Sequence, residues 1–203
     1  MNTTIELYPV WLRIWHWLNA ILFLTLLVTG ISLHFGGESW VVIPFARART
    51  IHNMAGILFT ANLLFFILGQ ITKGYWIHYR PQWRSLLVDL LRQAMFYGMG
   101  IFKGEPHPFP MTRTAKFNPL QQVTYLGVML GLMPVLVGSG WLFLFPDLLP
   151  ETLWGMTALL PVAVLHYLSG LFLTLFMLGH IYLATAGESW TSEFGKMIRG
   201  YRL

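Results

Sequence analysis

The sequence predicts an all-α integral membrane protein, a four-transmembrane-helix bundle with an amphipathic interfacial helix between helices 2 and 3. Three observations predict it. Of 203 residues, 56% are hydrophobic and only 10% charged, against roughly 25% charged in a soluble domain, and the mean hydropathy is +0.60. Four apolar runs, each long enough for a hydrocarbon core of ~30 Å, divide the chain. The long polar interval between the second and third runs carries basic residues and an apolar stripe at helical spacing. The chain reads as one membrane domain, 1–203, surrounded by lipid.

The first span, about 11–33, follows the polar lead MNTTIELYP. It is too long for a signal-peptide core and no small-residue cleavage pattern follows, so it is expected to be retained. GGESWVVIPFARART leads to the second span, about 51–71. The interval 72–117 cannot cross a bilayer, because it holds seven basic residues: Lys73, Arg80, Arg84, Arg92, Lys103, Arg113 and Lys116. Within it Trp83, Leu86, Leu87, Leu90, Leu91, Ala94 and Met95 share one helical face, opposite Arg84, Ser85, Asp89, Arg92 and Gln93. That pattern predicts a helix lying on the membrane surface or against a partner. Prolines in EPHPFP end it. The third span is expected at about 122–144, the fourth at about 160–184, with GESWTSEFGKMIRGYRL as a tail.

Lys and Arg set the expected orientation. One lies on the N-terminal side, seven in the interval and three in the tail, against two (Arg47, Arg49) in the first connection and none in the third. This places both termini and the interval in the cytoplasm. The net charge of +5 is therefore a topology signal, and no nucleic-acid partner is expected.

The fourth span carries His166 and His180, fourteen positions apart. Fourteen helical steps return to within about 40° of the starting direction and climb roughly 21 Å. Both imidazoles therefore face one way at two depths, in surroundings so apolar that each ring nitrogen needs a partner from outside the helix. His16 heads the first span and His52 the second. With the orientation above, His16 and His180 lie near the cytoplasmic side and His52 and His166 near the outer side. Two bis-histidine sites follow from spacing and topology, and neutral imidazoles suit haem iron. The other reading of such histidines is a hydrogen-bonded core or a proton path. Zinc or copper transport sites usually add carboxylates or sulfur, and these spans contain no Asp or Glu.

The chain has no cysteine, which excludes disulfides, thiolate metal sites, iron–sulfur clusters and covalent haem attachment. Nor does it carry a phosphate loop or a nucleophile triad. Gly30, fourteen residues after His16, offers no side chain at the level of the other site and would let a porphyrin edge approach, although glycine also serves helix packing. Gly127, Gly131, Gly138 and Gly140 on the third span are read as letting helices come close. Arg13, Arg47 and Arg49 are candidate partners for haem propionates as well as topology signals. His34, His78 and His107 lie outside the spans and are left unassigned.

R-I-W-H-W-L-N at the head of the first span, R-T-I-H-N-M-A-G opening the second, K-F-N-P-L-Q before the third and H-x13-H in the fourth resemble the bacterial di-haem cytochrome b family. That family includes the formate dehydrogenase gamma subunit and the cytochrome b subunits of thiosulfate reductases and nickel–iron hydrogenases. The closing M-I-R-G-Y-R is similar to the thiosulfate-reductase branch. The resemblance implies two haem b groups, one held by His16 and His180 and the other by His52 and His166. It also implies a quinone near Asn118, Gln121 and His180, although Pro119 and Leu120 replace small residues of the formate-dehydrogenase stretch. Asn118 with Pro119 equally reads as a helix N-cap followed by N1.

The expected protein is thus a bacterial inner (cytoplasmic) membrane subunit that carries electrons across the membrane between an iron–sulfur subunit, with its molybdenum or hydrogenase-type catalytic subunit, and the quinone pool. A stand-alone b561-type quinone oxidoreductase is the first alternative. A metal transporter or structural anchor without haem is the second.

Overall fold

Prolines open the first two helices and a glycine closes the second. In the computed structural model, which describes residues 5–110, 112, 115–185 and 189–202, β1 (Ile5–Glu6) leads to α1 (Val10–His34) directly after Pro9, and α2 (Phe45–Lys73) starts after Pro44. Proline's fixed φ and missing N–H suit a helix start, whereas inside a helix they cost a backbone hydrogen bond and crowd the preceding turn. α2 stops at Gly74, whose φ of 63° is left-handed. It begins at residue 45 where hydropathy suggested 51, because apolarity marks where lipid ends and not where hydrogen bonding ends. Arg47 and Arg49 occupy the extra turns. Arg113, counted in the basic interval, lies outside the described residues.

α3 (Leu86–Met95) is amphipathic, and its apolar stripe is not packed on the bundle. Leu87, Val88, Leu91 and Met95 are exposed, while Gln93, expected on the polar side, is fully buried against the bundle with Phe96. The apolar stripe is therefore turned off the protein, as a helix lying on a membrane surface or against a partner requires, and one polar side chain is turned in.

The third span is a single run of helix in three pieces. α4 (Pro119–Gly127) is joined through a π-helical turn, Val128–Leu132, to α5 (Met133–Leu144). Pro134 has no N–H for the Leu130 carbonyl and its ring crowds that turn, and the wider π turn accommodates it. A hairpin of β2 (Thr152–Leu153) and β3 (Met156–Thr157) follows. Its central residues Trp154 (φ 52°) and Gly155 (φ 77°) both take the left-handed backbone that a two-residue hairpin needs. α6 (Leu159–Thr185) is the fourth span, and α7 (Ser192–Arg199) with β4 (Tyr201–Arg202) ends the described chain.

The two ends of the chain are tied together. β1 pairs antiparallel with β4, Ile5 opposite Arg202 and Glu6 opposite Tyr201, and the Leu7 and Tyr8 N–H groups both donate to the Gly200 carbonyl, at 2.7 and 3.0 Å. Both termini therefore lie on one side of the four spans. In mid-bundle, Leu22, Phe59, Leu63, Met133 and Leu173 form a buried apolar cluster. A third of the α2 hydropathy window is buried (33%) against 11% for α1, so α2 is the more central helix and the outer faces of the others are apolar and exposed. The chain is a multi-pass membrane protein.

Candidate functional site

The four span histidines stand in two pairs. His16 on α1 faces His180 on α6 with ring centres 6.1 Å apart and planes at 59°. His52 on α2 faces His166 on α6 with centres 6.2 Å apart and planes at 69°. A metal held between two imidazoles at the usual bond of about 2 Å puts the ring centres roughly 6 Å apart. Both gaps match that span. Leu173 of the apolar cluster lies seven residues from each of His166 and His180, so the cluster is a layer between the pairs.

At the His52–His166 pair the rings are oriented from behind. Thr29 Oγ1 lies 2.9 Å from His52 Nδ1, and Ser139 Oγ lies 3.0 Å from His166 Nδ1. The residue after each hydroxyl is a glycine. A Cβ on Gly30 would stand 3.5 Å from His52 Cε1, and one on Gly140 would stand 3.3 Å from His166 Cε1. The room at Gly30 is thus taken by an imidazole edge and not by the porphyrin edge expected there, and Gly140, read from the sequence as a packing glycine, does the same work on the other side. Thr29 and Ser139 carried no sequence signal singly. The repeated pairing of a hydroxyl residue with the next glycine, late in the first and third spans, is the signal that could have found them.

At the other pair His16 Nδ1 is buried with no partner among the described residues. Phe176 stacks on His180, centres 6.0 Å apart and planes at 18°, and Tyr125 of α4 meets Phe176 edge-on at 6.2 Å.

The donor set can be tested against haem. Among the described residues no group of three or more His, Cys, Asp or Glu side chains could hold a metal ion. Two imidazoles alone leave a tetrahedral zinc site half built. They complete an iron whose other four positions belong to a porphyrin. The residues fit haem, through the spacing of both pairs and a donor set of two imidazoles each.

The remaining predicted site residues are placed as follows. Asn118 is the N-cap of α4: its Oδ1 accepts from the Gln121 N–H at 2.9 Å, and Gln121 Oε1 accepts from the Asn118 N–H at 3.0 Å. The Asn118 amide nitrogen donates to the Tyr97 hydroxyl at 3.1 Å. Burial raises the Tyr97 pKa, against the Asn118 hydrogen bond, which lowers it. Arg13 donates to the Ile198 carbonyl, tying the tail to α1, and its Nε is buried without a partner among the described residues. Arg47 and Arg49 are exposed on the first turn of α2, at the His52 end. His34 stacks on Tyr167, centres 5.0 Å apart. His107 Nδ1 accepts the Phe109 N–H at 3.1 Å, and its Nε2 lies 3.4 Å from the Gln93 amide.

Four apolar helices and paired histidines of this spacing define a membrane cytochrome b, a haem b electron-transfer protein. The profile of the prokaryotic cytochrome b561 family matches residues 7–200, and the chain belongs to that family. It is similar to the protein of Escherichia coli (strain K12) named "Putative cytochrome YdhU", 38% identical over 197 residues that cover 97% of this chain and 74% of the relative.

Proposed function

We propose that the chain is a di-haem subunit that carries electrons between a partner's redox centre on one membrane face and the quinone pool on the other. The observation that carries this reading is the pair of ring separations, 6.1 and 6.2 Å, at two depths of one helix. His16 and His180 would hold one haem b, His52 and His166 the other. What haem supplies when bound is a one-electron couple at each depth. The protein's part is to aim four neutral imidazoles, keep water out with the apolar layer, and hold the helices at a fixed spacing.

The joined termini and the basic interval lie with the His16–His180 pair, which by the charge count faces the cytoplasm of the bacterial inner membrane. A quinone taking two electrons takes two protons as well, so its oxygens need hydrogen-bonding groups near water. Asn118, Gln121 and the Tyr97 hydroxyl are such groups, close to the α4 start that leads through Tyr125 and Phe176 to His180. On the opposite face an iron–sulfur subunit with a molybdenum or hydrogenase-type catalytic subunit is the proposed partner. The family description also favours a second reading, a stand-alone b561-type quinone oxidoreductase; copurification of iron–sulfur and molybdenum subunits from the native membrane decides between them.

The central test is a reduced-minus-oxidised spectrum with a haem count on the purified chain and on His→Ala at 16, 52, 166 and 180. Two b haems per chain are expected, with His16 or His180 losing one and His52 or His166 the other. Protein made with ample haem and showing no b-type absorbance would overturn the proposal.

A further inference from the structure

The two histidine pairs are supported differently. Thr29 is 1% and Ser139 6% exposed, and each hydroxyl has one proton to give. Thr29 Oγ1 lies 2.6 Å from the Thr25 carbonyl, and Ser139 Oγ lies 2.7 Å from the Val135 carbonyl. At those distances the proton is donated to the backbone, and the oxygen is left to accept. His52 Nδ1 and His166 Nδ1 are then the N–H donors, with the Leu26 and Leu136 carbonyls as second acceptors beside the hydroxyls, which leaves Nε2 bare on both rings. Gly30 and Gly140 let the rings come that close. The arrangement is repeated in the α1–α2 and α5–α6 helix hairpins. Neither His16 nor His180 has a ring hydrogen bond among the described residues, and His16 Nδ1 is buried without one.

We propose that Thr29 and Ser139 are matched positioning residues that fix the Nδ1–H tautomer of His52 and His166, and that they hold the redox potential of this pair's haem below that of the His16–His180 haem. The inference rests on the haem reading given above. A hydrogen bond accepted from Nδ1–H raises the basicity of the ligating nitrogen. A more basic ligand stabilises the oxidised iron more than the reduced iron, so the potential falls. His16 has no such acceptor and its haem stays higher. Electrons then run downhill from the His52–His166 pair to the His16–His180 pair, which makes quinone reduction the favoured direction.

The test is a redox titration of the purified holoprotein and of Thr29→Val, Ser139→Ala and the double variant. The expected result is an upward shift of one of the two midpoints, the one that disappears in His52→Ala, larger in the double variant, with the other midpoint unmoved. Thr29→Ser and Ser139→Thr, which keep the acceptor, should restore the wild-type value. Unchanged midpoints with two haems retained, or a shift of the component lost in His16→Ala, would overturn it. Should a variant lose haem, imidazole 15N shifts of the haem-free wild-type protein decide: Nδ1–H tautomers at both His52 and His166 support the proposal, and Nε2–H tautomers overturn it. Two b haems surviving in His52→Ala would instead count against the haem assignment itself.

Discussion

The edge of the His166 imidazole lies against the bare backbone of Gly140, where a Cβ would stand 3.3 Å from Cε1. At that distance the ring has to give by a few tenths of an ångström if a methyl is added. On the proposed two-haem reading, Gly140→Ala should keep the haem of the His52–His166 pair with altered visible and EPR spectra. Gly140→Val, with two more carbons in the same space, should lose it while the other haem stays. The haem count and the reduced spectrum check both.

Asn118 serves as a cap whatever else it touches. Asn118→Asp keeps the Oδ acceptor for the Gln121 N–H and removes the N–H donated to Tyr97. Thermal stability should therefore hold within about 0.5 kcal/mol, whereas Asn118→Ala should lose about 1 kcal/mol with the cap. If the amide also serves a quinone oxygen, steady-state quinone reduction falls in Asn118→Asp at unchanged stability. Equal rates would leave Asn118 as a cap alone.

Lys116 ties the interval to the N-terminal lead. Its Nζ donates to the Leu7 carbonyl at 2.8 Å and to the Tyr75 hydroxyl at 3.2 Å, and it lies 4.6 Å from the Tyr75 ring centre. Lys116→Met keeps the apolar stem and removes the charged donor, which should cost about 2 kcal/mol. Unfolding midpoints in detergent, with proteolysis of the N-terminal lead, measure it.

His107 gives the interval a pH dependence. Burial lowers its pKa below the ordinary value, outweighing the upward pulls of the Phe109 backbone and of Glu193. The folded protein prefers the neutral ring, so the unfolded state binds more protons below about pH 6.5, and stability falls as pH drops through that value. Hydrogen exchange over residues 93–109 should rise from pH 7 to pH 5, and His107→Asn should flatten the rise.

Hydropathy and histidine spacing made the four spans and the pairing by depth legible, because both depend on a period that the chain repeats for twenty residues at a time. The supports of the rings were not legible. Thr29 and Ser139 are ordinary residues of a membrane helix until a neighbouring helix brings a nitrogen to them, and no single-helix pattern records that. Gln93 reads as polar surface because periodicity gives the two faces of a helix without saying which one meets protein. The π turn at Val128–Leu132 could have been inferred from Pro134. The strand pairing of Ile5–Glu6 with Tyr201–Arg202 joins segments too far apart and too short for any local signal.

The layer of Leu22, Phe59, Leu63, Met133 and Leu173 has a consequence of its own. None of these side chains can accept or release a proton, so on the proposed path between the two histidine pairs an electron would cross this layer with no proton handed through it. On that path each turnover would displace charge through a thin insulator and load it as a capacitor is loaded. The rate of such a carrier depends on the voltage already stored: a growing membrane potential slows the crossing in one direction and speeds it in the other.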